Sequence, residues 1–343
     1  MIVAAVVAGC SSSGEKADSK STESSTPSAN GPSLNGVYRL DFDATQRTAL
    51  GQPSPAKAPF SRNWAFRSNC GDGGCVATAT RLNNDRSGSK AKANLDFLDG
   101  KWVMVLAEDS KCNRGGQPTR VLGTWVLAPQ PDNTLAGTWT EITTGNDCPW
   151  VVQTPLKASR EGDLPDGVDV TDPATLPARK PSKPEGFQGS YIQTVTFVPP
   201  QGEPGVVDVD AATYCVRNTD ECATTQTAKK DGAVSQITPL TFAGDRWTFK
   251  FNRPERTCPD GSPMQSALYD EVMIPDPATN PMDHLSGTRR IQAMDPCPSE
   301  QTLDLAYQRI NQPPPAPAPG PAPAPAPAPE PGPAPEPAPA PGG

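Results

Sequence analysis

Histidine is almost absent from this chain, and its scarcity removes several classes of catalysis. The only histidine among 343 residues is His284, in the turn-like stretch Pro-Met-Asp-His. Nucleophile–base chemistry needs a base that a third group holds in place, and a lone surface histidine is usually just solvated. The sequence also has no Gly-x-Ser-x-Gly elbow and no Walker-type phosphate loop. We therefore predict no catalytic residue.

Groups of metal ligands and an excess of basic residues are missing as well. Neither half of the chain has two Cys-x-x-Cys pairs, so a structural zinc site is not expected. Four aspartates lack the alternating spacing and terminal glutamate of a calcium loop and are read as an acidic linker: Asp163, Asp166, Asp169 and Asp172. The net charge of −8 argues against nucleic acid as a partner. We expect no metal and no cofactor.

The chain does contain a repeated strand pattern framed by cysteines. The stretch from Leu95 to Leu106 returns without a gap from Leu240 to Phe251, with Trp102 matching Trp247. Four cysteines surround each copy in the same order: Cys70, Cys75, Cys112 and Cys148, then Cys215, Cys222, Cys258 and Cys297. An even cysteine framework in an exported chain is typical of disulfides. The sequence therefore contains one disulfide-stapled module twice.

Alternating apolar and polar residues predict β-strands in both modules. Tyr38, Leu40 and Phe42 alternate with charged residues, which is the period of a half-buried strand. The pair Asp99-Gly100 suits a two-residue hairpin turn. With seven or eight strands and no convincing helix per module, we predict an all-β fold: two tandem antiparallel barrels or sandwiches, flanked by disordered segments.

Composition divides the chain into six segments. They are a lipoprotein signal, apparently truncated, at 1–9, a flexible tether at 10–34, module one at 35–158, a linker at 159–187, module two at 188–311 and a Pro-Ala-rich tail at 312–343. The tether is too polar to fold. Of the 43 prolines, 16 lie between Pro313 and Pro341, which favours a semi-rigid polyproline II rod.

The apolar run that ends at Gly9 before Cys10 resembles the lipobox of bacterial lipoproteins. This resemblance implies a lipid on Cys10 and a location on the outer face of the cytoplasmic membrane, within the cell envelope. A positively charged region before the run is missing, so we expect the sequence to start inside the signal. A run this short cannot span a bilayer as a helix.

Four cysteines allow three pairings per module, and the sequence does not select one outright. The simplest choice joins the cysteines that flank short turns, Cys70–Cys75 and Cys215–Cys222. It leaves Cys112–Cys148 and Cys258–Cys297 to close long loops.

Tryptophan is distributed unevenly between the modules. Trp102 and Trp247 share one place in the repeat, so we expect both in the core. The other tryptophans have no counterpart and are the candidate ligand-binding residues, at a pocket or a glycan-stacking face: Trp64, Trp125, Trp139 and Trp150. The alternative is that they fill an ordinary core.

The stretch from Trp64 to Ala79, Trp-Ala-Phe-Arg-Ser-Asn-Cys-Gly-Asp-Gly-Gly-Cys-Val-Ala-Thr-Ala, resembles segments of exported mycobacterial proteins. These include lipoproteins and extracytoplasmic parts of membrane-anchored serine/threonine kinases. The resemblance covers mainly the first module and implies a cell-envelope protein. We predict a lipoprotein that binds an envelope lipid, glycan or protein without catalysis. The alternatives are a passive wall-spanning spacer and, less favoured, a hydrolase with paired carboxylates.

Overall fold

The computed structural model describes residues 32–310, apart from residues 72–73, 86, 113–115 and 146–147 and the side chains of 89–90 and 254–256. The predicted signal, nearly all of the tether, the Pro-Ala tail and Cys10 lie outside the described residues. Helical structure within them consists of three single 3₁₀ turns, Ala44–Gln46, Pro173–Thr175 and Lys183–Gly186. None of the described helices is long and apolar enough to cross a membrane.

The first module is a closed antiparallel barrel. Its strands are β1 (Gly36–Phe42), β2 (Thr48–Ala49), β3 (Gln52–Pro53), β4 (Phe60–Gly71), β5 (Gly74–Leu82), β6 (Gly88–Leu98), β7 (Lys101–Lys111), β8 (Pro118–Pro129), β9 (Leu135–Thr143) and β10 (Val151–Gly162). The order is β1-β4-β5-β6-β7-β8-β9-β10, and pairing of β10 with β1 closes the ring. The short β2 pairs with β10 and β3 pairs with β2.

The second module is a closed barrel in strict chain order. Its strands are β11 (Gly189–Val198), β12 (Gly205–Cys215), β13 (Cys222–Lys230), β14 (Ala233–Ala243), β15 (Arg246–Thr257), β16 (Pro263–Met273), β17 (His284–Ala293) and β18 (Ser299–Arg309). The all-β prediction is therefore confirmed, and both modules are barrels, not sandwiches. The lone His284 is exposed at the start of β17.

The repeated motif forms the same hairpin in each barrel. In the first turn the φ angles of Asp99 and Gly100 are 48° and 77°, and in the second those of Gly244 and Asp245 are 59° and 62°. Two consecutive residues in the left-handed region are typical of the type I′ turn, whose twist matches the flanking strands. The sequence motif thus fixes the register of β6 on β7 and of β14 on β15.

The two repeated tryptophans lie at the centres of the two cores. Trp102 and Trp247 each have 0% exposure, as expected from their shared place in the repeat. Trp102 packs with Phe97, and Trp247 packs with Phe187 and Phe242. Each barrel interior thus has a fully buried indole as its anchor.

Four disulfides staple the barrels, one short-range and one long-range in each. They are Cys70–Cys75, Cys112–Cys148, Cys215–Cys222 and Cys258–Cys297. This is the simplest pairing that the sequence offers. The short bridges join the ends of β4 to β5 and of β12 to β13.

The segment between the barrels is shorter and more ordered than the sequence indicates. Strand β10 continues to Gly162, so residues 159–162 belong to the first barrel. Their polar and charged composition had indicated a loop. Phe187, also assigned to the linker, is fully buried in the second core. Between these points Val170 is 5% exposed, and Thr80 Oγ1 donates to the carbonyl oxygen of Asp169 at 2.8 Å.

The outer faces of the two barrels share a buried apolar interface. Leu122, Ile142 and Val151 of the first barrel pack in one cluster with Ala223 and Ile237 of the second. These side chains point outward from their own barrels, because their strand neighbours fill the interiors. The interface therefore explains apolar residues on strand faces that would otherwise meet water.

Charged pairs reinforce this interface. Arg120 Nε lies 2.6 Å from Glu221 Oε1, and Arg217 Nε lies 3.0 Å from Asp96 Oδ1. Arg179 of the linker also approaches Asp96, with Nε at 3.5 Å from Oδ2. Asp96 thus ties the first barrel to both the linker and the second barrel.

Candidate functional site

Two of the four candidate tryptophans lie in the core of the first barrel. Trp64 and Trp125 are 6% and 5% exposed, and their rings meet edge to face with centroids 4.9 Å apart. Such a pair adds stability beyond the area it buries. The structure therefore places these two where the packing alternative expects them.

Trp150 lies apart from that pair, just before β10. Its backbone nitrogen donates to Thr143 Oγ1 at 2.7 Å, and its carbonyl oxygen accepts from the Thr143 nitrogen at 3.0 Å. These bonds hold the connection between β9 and β10. The four candidate tryptophans therefore do not line a single pocket.

Trp139 is the candidate that supports a surface groove. Its ring meets Phe42 at 5.2 Å and Phe60 at 6.0 Å, both edge to face, and Phe42 stacks on Phe60 at 4.6 Å. These two phenylalanines line a groove of about 540 Å³, together with Arg39, Asp41, Asp43, Pro59, Ser61, Ala136, Gly137, Pro155, Leu156 and Lys157. Trp139 thus lies under an apolar floor that charged side chains surround.

The groove rim carries charges of both signs. Arg39 Nε lies 2.8 Å from Asp41 Oδ1. Hydrogen bonds from Thr45 and Gln46 hold the pKa of Asp43 below its ordinary value. A ligand in this groove therefore meets both hydrogen-bond donors and acceptors around an apolar centre.

A long loop covers the barrel end next to the groove. Residues 43–59 fold back on β10, where the Leu50 nitrogen donates to the Val151 carbonyl at 2.9 Å. Glu141 points into this end of the barrel, and burial raises its pKa, an effect that Arg47 and Lys57 of the loop partly offset. The first barrel is thus covered at this end by its own chain.

The interior of the second barrel contains a polar layer that the sequence analysis missed. Asp270 is 2% exposed and accepts hydrogen bonds from Arg289 Nε and Nη2, both at 2.7 Å. Tyr307, also 2% exposed, is bonded through its hydroxyl to Gln193 Nε2 at 2.6 Å and Gln226 Nε2 at 3.0 Å. Five polar side chains thus meet inside one barrel.

The electrostatics of this layer follow from its burial. Burial and the nearby Asp270 raise the pKa of Tyr307 far above its ordinary value, so the phenol stays protonated. Burial alone lowers the pKa of Arg289, but the bonds to Asp270 outweigh this and raise it. The layer therefore contains a neutral phenol and a paired, charged guanidinium. A signal was available for three of the five: Gln193, Asp270 and Arg289 interrupt the inward-facing, largely apolar positions of their strands.

The match to a protein family concerns the first barrel. The family model of the PknI serine/threonine-protein kinase sensor domain matches residues 31–175. Serine/threonine-protein kinase PknI of Mycobacterium tuberculosis and of Mycobacterium bovis are each 33% identical over 156 residues, 42% of this chain. The first barrel is homologous to the PknI sensor domain. This confirms the expected relation to segments of mycobacterial kinases.

The matches with PknI leave much of both proteins unpaired. The chain covers 27% of the length of these kinases. The monomer form of the M. tuberculosis PknI sensor domain is 32% identical, with 42% of this chain and 97% of that chain covered and a TM-score of 0.36. The dimer form is 29% identical, with coverages of 36% and 84% and a TM-score of 0.30. The second barrel lies beyond the family match, which ends at residue 175.

Proposed function

We propose that this protein is an exported binding protein of the cell envelope, anchored by a lipid on Cys10, whose first barrel recognises a ligand. The observation that carries the proposal is the homology of this barrel to the sensor domain of a kinase. The chain acts by binding in this proposal, not by catalysis. A sensor-type barrel on a lipid anchor then presents its site outside the membrane.

The groove beside Trp139 is the proposed recognition site. Its floor of Phe42, Phe60 and Leu156 is apolar, while Arg39 and Lys157 offer donors at the rim. Binding sites commonly combine an apolar surface with a few polar groups that fix orientation. The proposed ligand is an envelope molecule with an apolar part and a hydrogen-bonding periphery.

The test fills the groove without disturbing the core. Ala136 is only partly buried and lines the groove, so Ala136→Trp blocks the site from the outside. Ala174→Trp, at an exposed linker residue, is the matched control. The full chain is incubated with separated lipid and glycan fractions of envelope extract, and retained molecules are identified by mass spectrometry. We expect one molecular species with the parent and the control and at least a tenfold loss with Ala136→Trp.

The spacer alternative predicts a different result. If neither fraction yields a retained species, or if Ala136→Trp retains as much as the parent, the groove is not a recognition site. The anchor is tested separately, in a chain expressed with a complete export signal. Cys10→Ala should release the protein from membranes and abolish labelling by an acyl-chain probe; equal labelling of the variant contradicts the lipid site.

A further inference from the structure

The polar layer of the second barrel occupies places that are apolar in the first. The two barrels can be superimposed strand by strand if Trp102 is matched to Trp247. The pairing registers of neighbouring strands then give the matching residue at every other position. Trp125 and Trp139 face each other across β8 and β9, as Asp270 and Arg289 do across β16 and β17. The same ring position therefore holds an indole pair in one barrel and an ion pair in the other.

The rest of the layer shows the same exchange. Gln193 lies opposite Tyr307 in the second barrel, and Leu40 lies opposite Ala158 at the matching place in the first. The first barrel thus closes over apolar residues here, so the fold itself does not require the polar ones. Burying an ion pair removes both charges from water, a cost that their pairing must offset. A network that the fold does not need indicates another role.

The two ends of the second barrel are packed differently. One end is closed by Phe187, Tyr191 and Met282, all at 0% exposure. Some inward-facing side chains between the layer and the open end are only partly buried, among them Val195, Phe251 and Leu268. Others on the same side are buried: Leu303, Leu305 and Ser266 are 5%, 1% and 3% exposed. The open end, or mouth, is bounded by residues 199–204, 231–232, 258–262 and 294–298.

The covering loop differs between the barrels at this end. Residues 43–59 lie against the first barrel and also contact β14 of the second, where Gln52 Nε2 donates to the Ser235 carbonyl oxygen at 2.8 Å. The matching connection between β11 and β12 consists of residues 199–204. Apolar side chains stand exposed around the second mouth: Val198 at 47%, Val206 at 64%, Val234 at 47% and Met294 at 43%. Exposed apolar groups that cluster around an opening mark a binding surface more often than scattered ones do.

The guanidinium is the accessible part of the ion pair. The side chain of Arg289 is 24% exposed, whereas that of Asp270 is 1% exposed. A molecule that enters the mouth therefore meets apolar walls first and a cationic group at the floor. Asp270 takes the Nε and Nη2 donors of the planar guanidinium, so an incoming carboxylate or phosphate oxygen would bind at the remaining Nη1 edge.

We propose that the second barrel binds an anionic amphiphile, with a carboxylate or phosphate head at Arg289 and an aliphatic chain between Val195, Phe251 and Leu268. Eight-stranded barrels are wide enough to hold one small ligand. This site is separate from the groove of the first barrel and stands whether or not that groove binds anything.

The first experiment measures the head-group requirement with the full chain. cis-Parinaric acid is titrated and its fluorescence followed, with the methyl ester of the same chain as the uncharged control. We expect saturable binding of the acid and at least tenfold weaker binding of the ester. Displacement by lauric acid or by monododecyl phosphate then shows which anion the floor prefers. Equal binding of acid and ester, or no saturable binding of any of these probes, overturns the proposal.

The second experiment locates the site with variants that leave the ion pair intact. Ala228 follows the network residue Gln226 by one inward step towards the mouth, so Ala228→Phe should obstruct entry and weaken binding at least tenfold. Ala243→Phe adds the same volume at an exposed position and should change nothing. Ala136→Trp in the first barrel should also leave the acid bound. If Ala228→Phe binds like the parent, or Ala136→Trp abolishes binding, the assignment to the second barrel is wrong.

A third variant tests the floor without leaving a single buried charge. Asp270→Asn with Arg289→Gln keeps polar groups of similar size and removes both charges. Provided that its circular dichroism matches the parent, this double variant should bind acid and ester equally. If the double variant still binds the acid more tightly than the ester, the head group does not bind at Arg289 and the proposal is overturned.

Discussion

The first and second barrels have the same strand plan, hairpin turns and disulfides, yet their interiors differ in kind. The first encloses Trp64, Trp125 and Trp139, while the second encloses an ion pair and three hydrogen-bonded polar side chains. One barrel is covered by a long loop and the other is ringed by exposed apolar residues. The two copies therefore share their strands, turns and disulfides but have diverged in the side chains that fill the barrel interior.

The features that occur in both barrels are those that the fold needs. The hairpin tryptophan, the two bridges and a glycine in β9 or β17 occur in both barrels, so they specify the scaffold. The inward-facing residues above the hairpin tryptophan differ between the barrels: they are apolar in the first and polar in the second. Variation at equivalent inward positions is where two copies of one scaffold can acquire separate ligands.

Breaking the ion pair of the second barrel should cause a large loss of stability. Arg289→Met leaves Asp270 as an unpaired buried carboxylate, which should destabilise this barrel by about 3–5 kcal/mol. Denaturant unfolding followed by circular dichroism measures the loss. Arg246→Met removes an arginine whose pair with Glu271 is about half exposed and should change stability by less than about 1 kcal/mol.

The double variant Asp270→Leu with Arg289→Met replaces the ion pair by two apolar side chains. Because the first barrel is apolar at these positions, the double variant should recover most of the stability that Arg289→Met loses. A double variant less stable than the single one would show that the second barrel has become dependent on polar groups here.

The disulfides test whether the scaffolds are energetically equivalent. Replacing Cys112 and Cys148 by Ser, or Cys258 and Cys297 by Ser, opens loops with separations of 36 and 39 residues. By loop entropy each change should cost about 4 kcal/mol, and loss of a short bridge about 2 kcal/mol. Urea unfolding of each double-serine variant measures this; unequal losses from the two long bridges would break the equivalence.

The sequence predicted the scaffold well because the scaffold is what the repeat preserves. Alternation, the Asp-Gly turn and paired cysteines are local signals, and each led to the observed strands, hairpins and bridges. The sequence did not predict whether each module closes into a barrel, because the strands of a sandwich and of a barrel have the same alternating pattern. Closure depends on the pairing of β10 with β1 and of β18 with β11, contacts between residues far apart in the chain.

The candidate sites were harder to predict for a physical reason. Unmatched tryptophans marked one place where the barrels differ, and Trp139 does support the groove. Asp270 and Arg289 of the second barrel occupy the positions of Trp125 and Trp139 in the first. This correspondence follows only from the strand registers, which the sequence alone does not give. Asp270 interrupts the apolar alternation of its strand, but only the strand register shows that Arg289 lies opposite it and can pair with it inside the barrel.

A matched pair of glycines gives a smaller expected effect. A Cβ at Gly137 would lie 1.8 Å from the Val126 carbonyl oxygen, and one at Gly287 would lie 2.1 Å from that of Glu271. Both barrels thus need a strand backbone to approach closely at the same place. Gly137→Ala and Gly287→Ala should each cost about 1–3 kcal/mol in thermal or denaturant unfolding.

Gly123 supplies the control for these two substitutions. It also lies in a strand of the first barrel, but a Cβ there would meet Trp139 Nε1 at a permitted 3.8 Å. Gly123→Ala should therefore stay within about 1 kcal/mol of the parent. If Gly137→Ala is tolerated while Gly287→Ala is not, the close approach is a property of one barrel and not of the shared scaffold.

The smallest effect concerns Glu141, whose place in β9 is taken by Ile291 in β17. Burial raises the pKa of Glu141 in the folded protein, so the folded state holds this proton more tightly than the unfolded state. Its ionisation therefore lowers stability as the pH rises above the ordinary glutamate value of about 4.3. Glu141→Gln should raise the Tm at about pH 7 and leave it unchanged at about pH 3, where both states are protonated. Glu203→Gln, at an exposed position, controls for the loss of one carboxylate, because Glu203 does not contribute to the pKa of Glu141. If Glu141→Gln raises the Tm as much at pH 3 as at pH 7, the charge of the carboxylate is not what destabilises the first barrel.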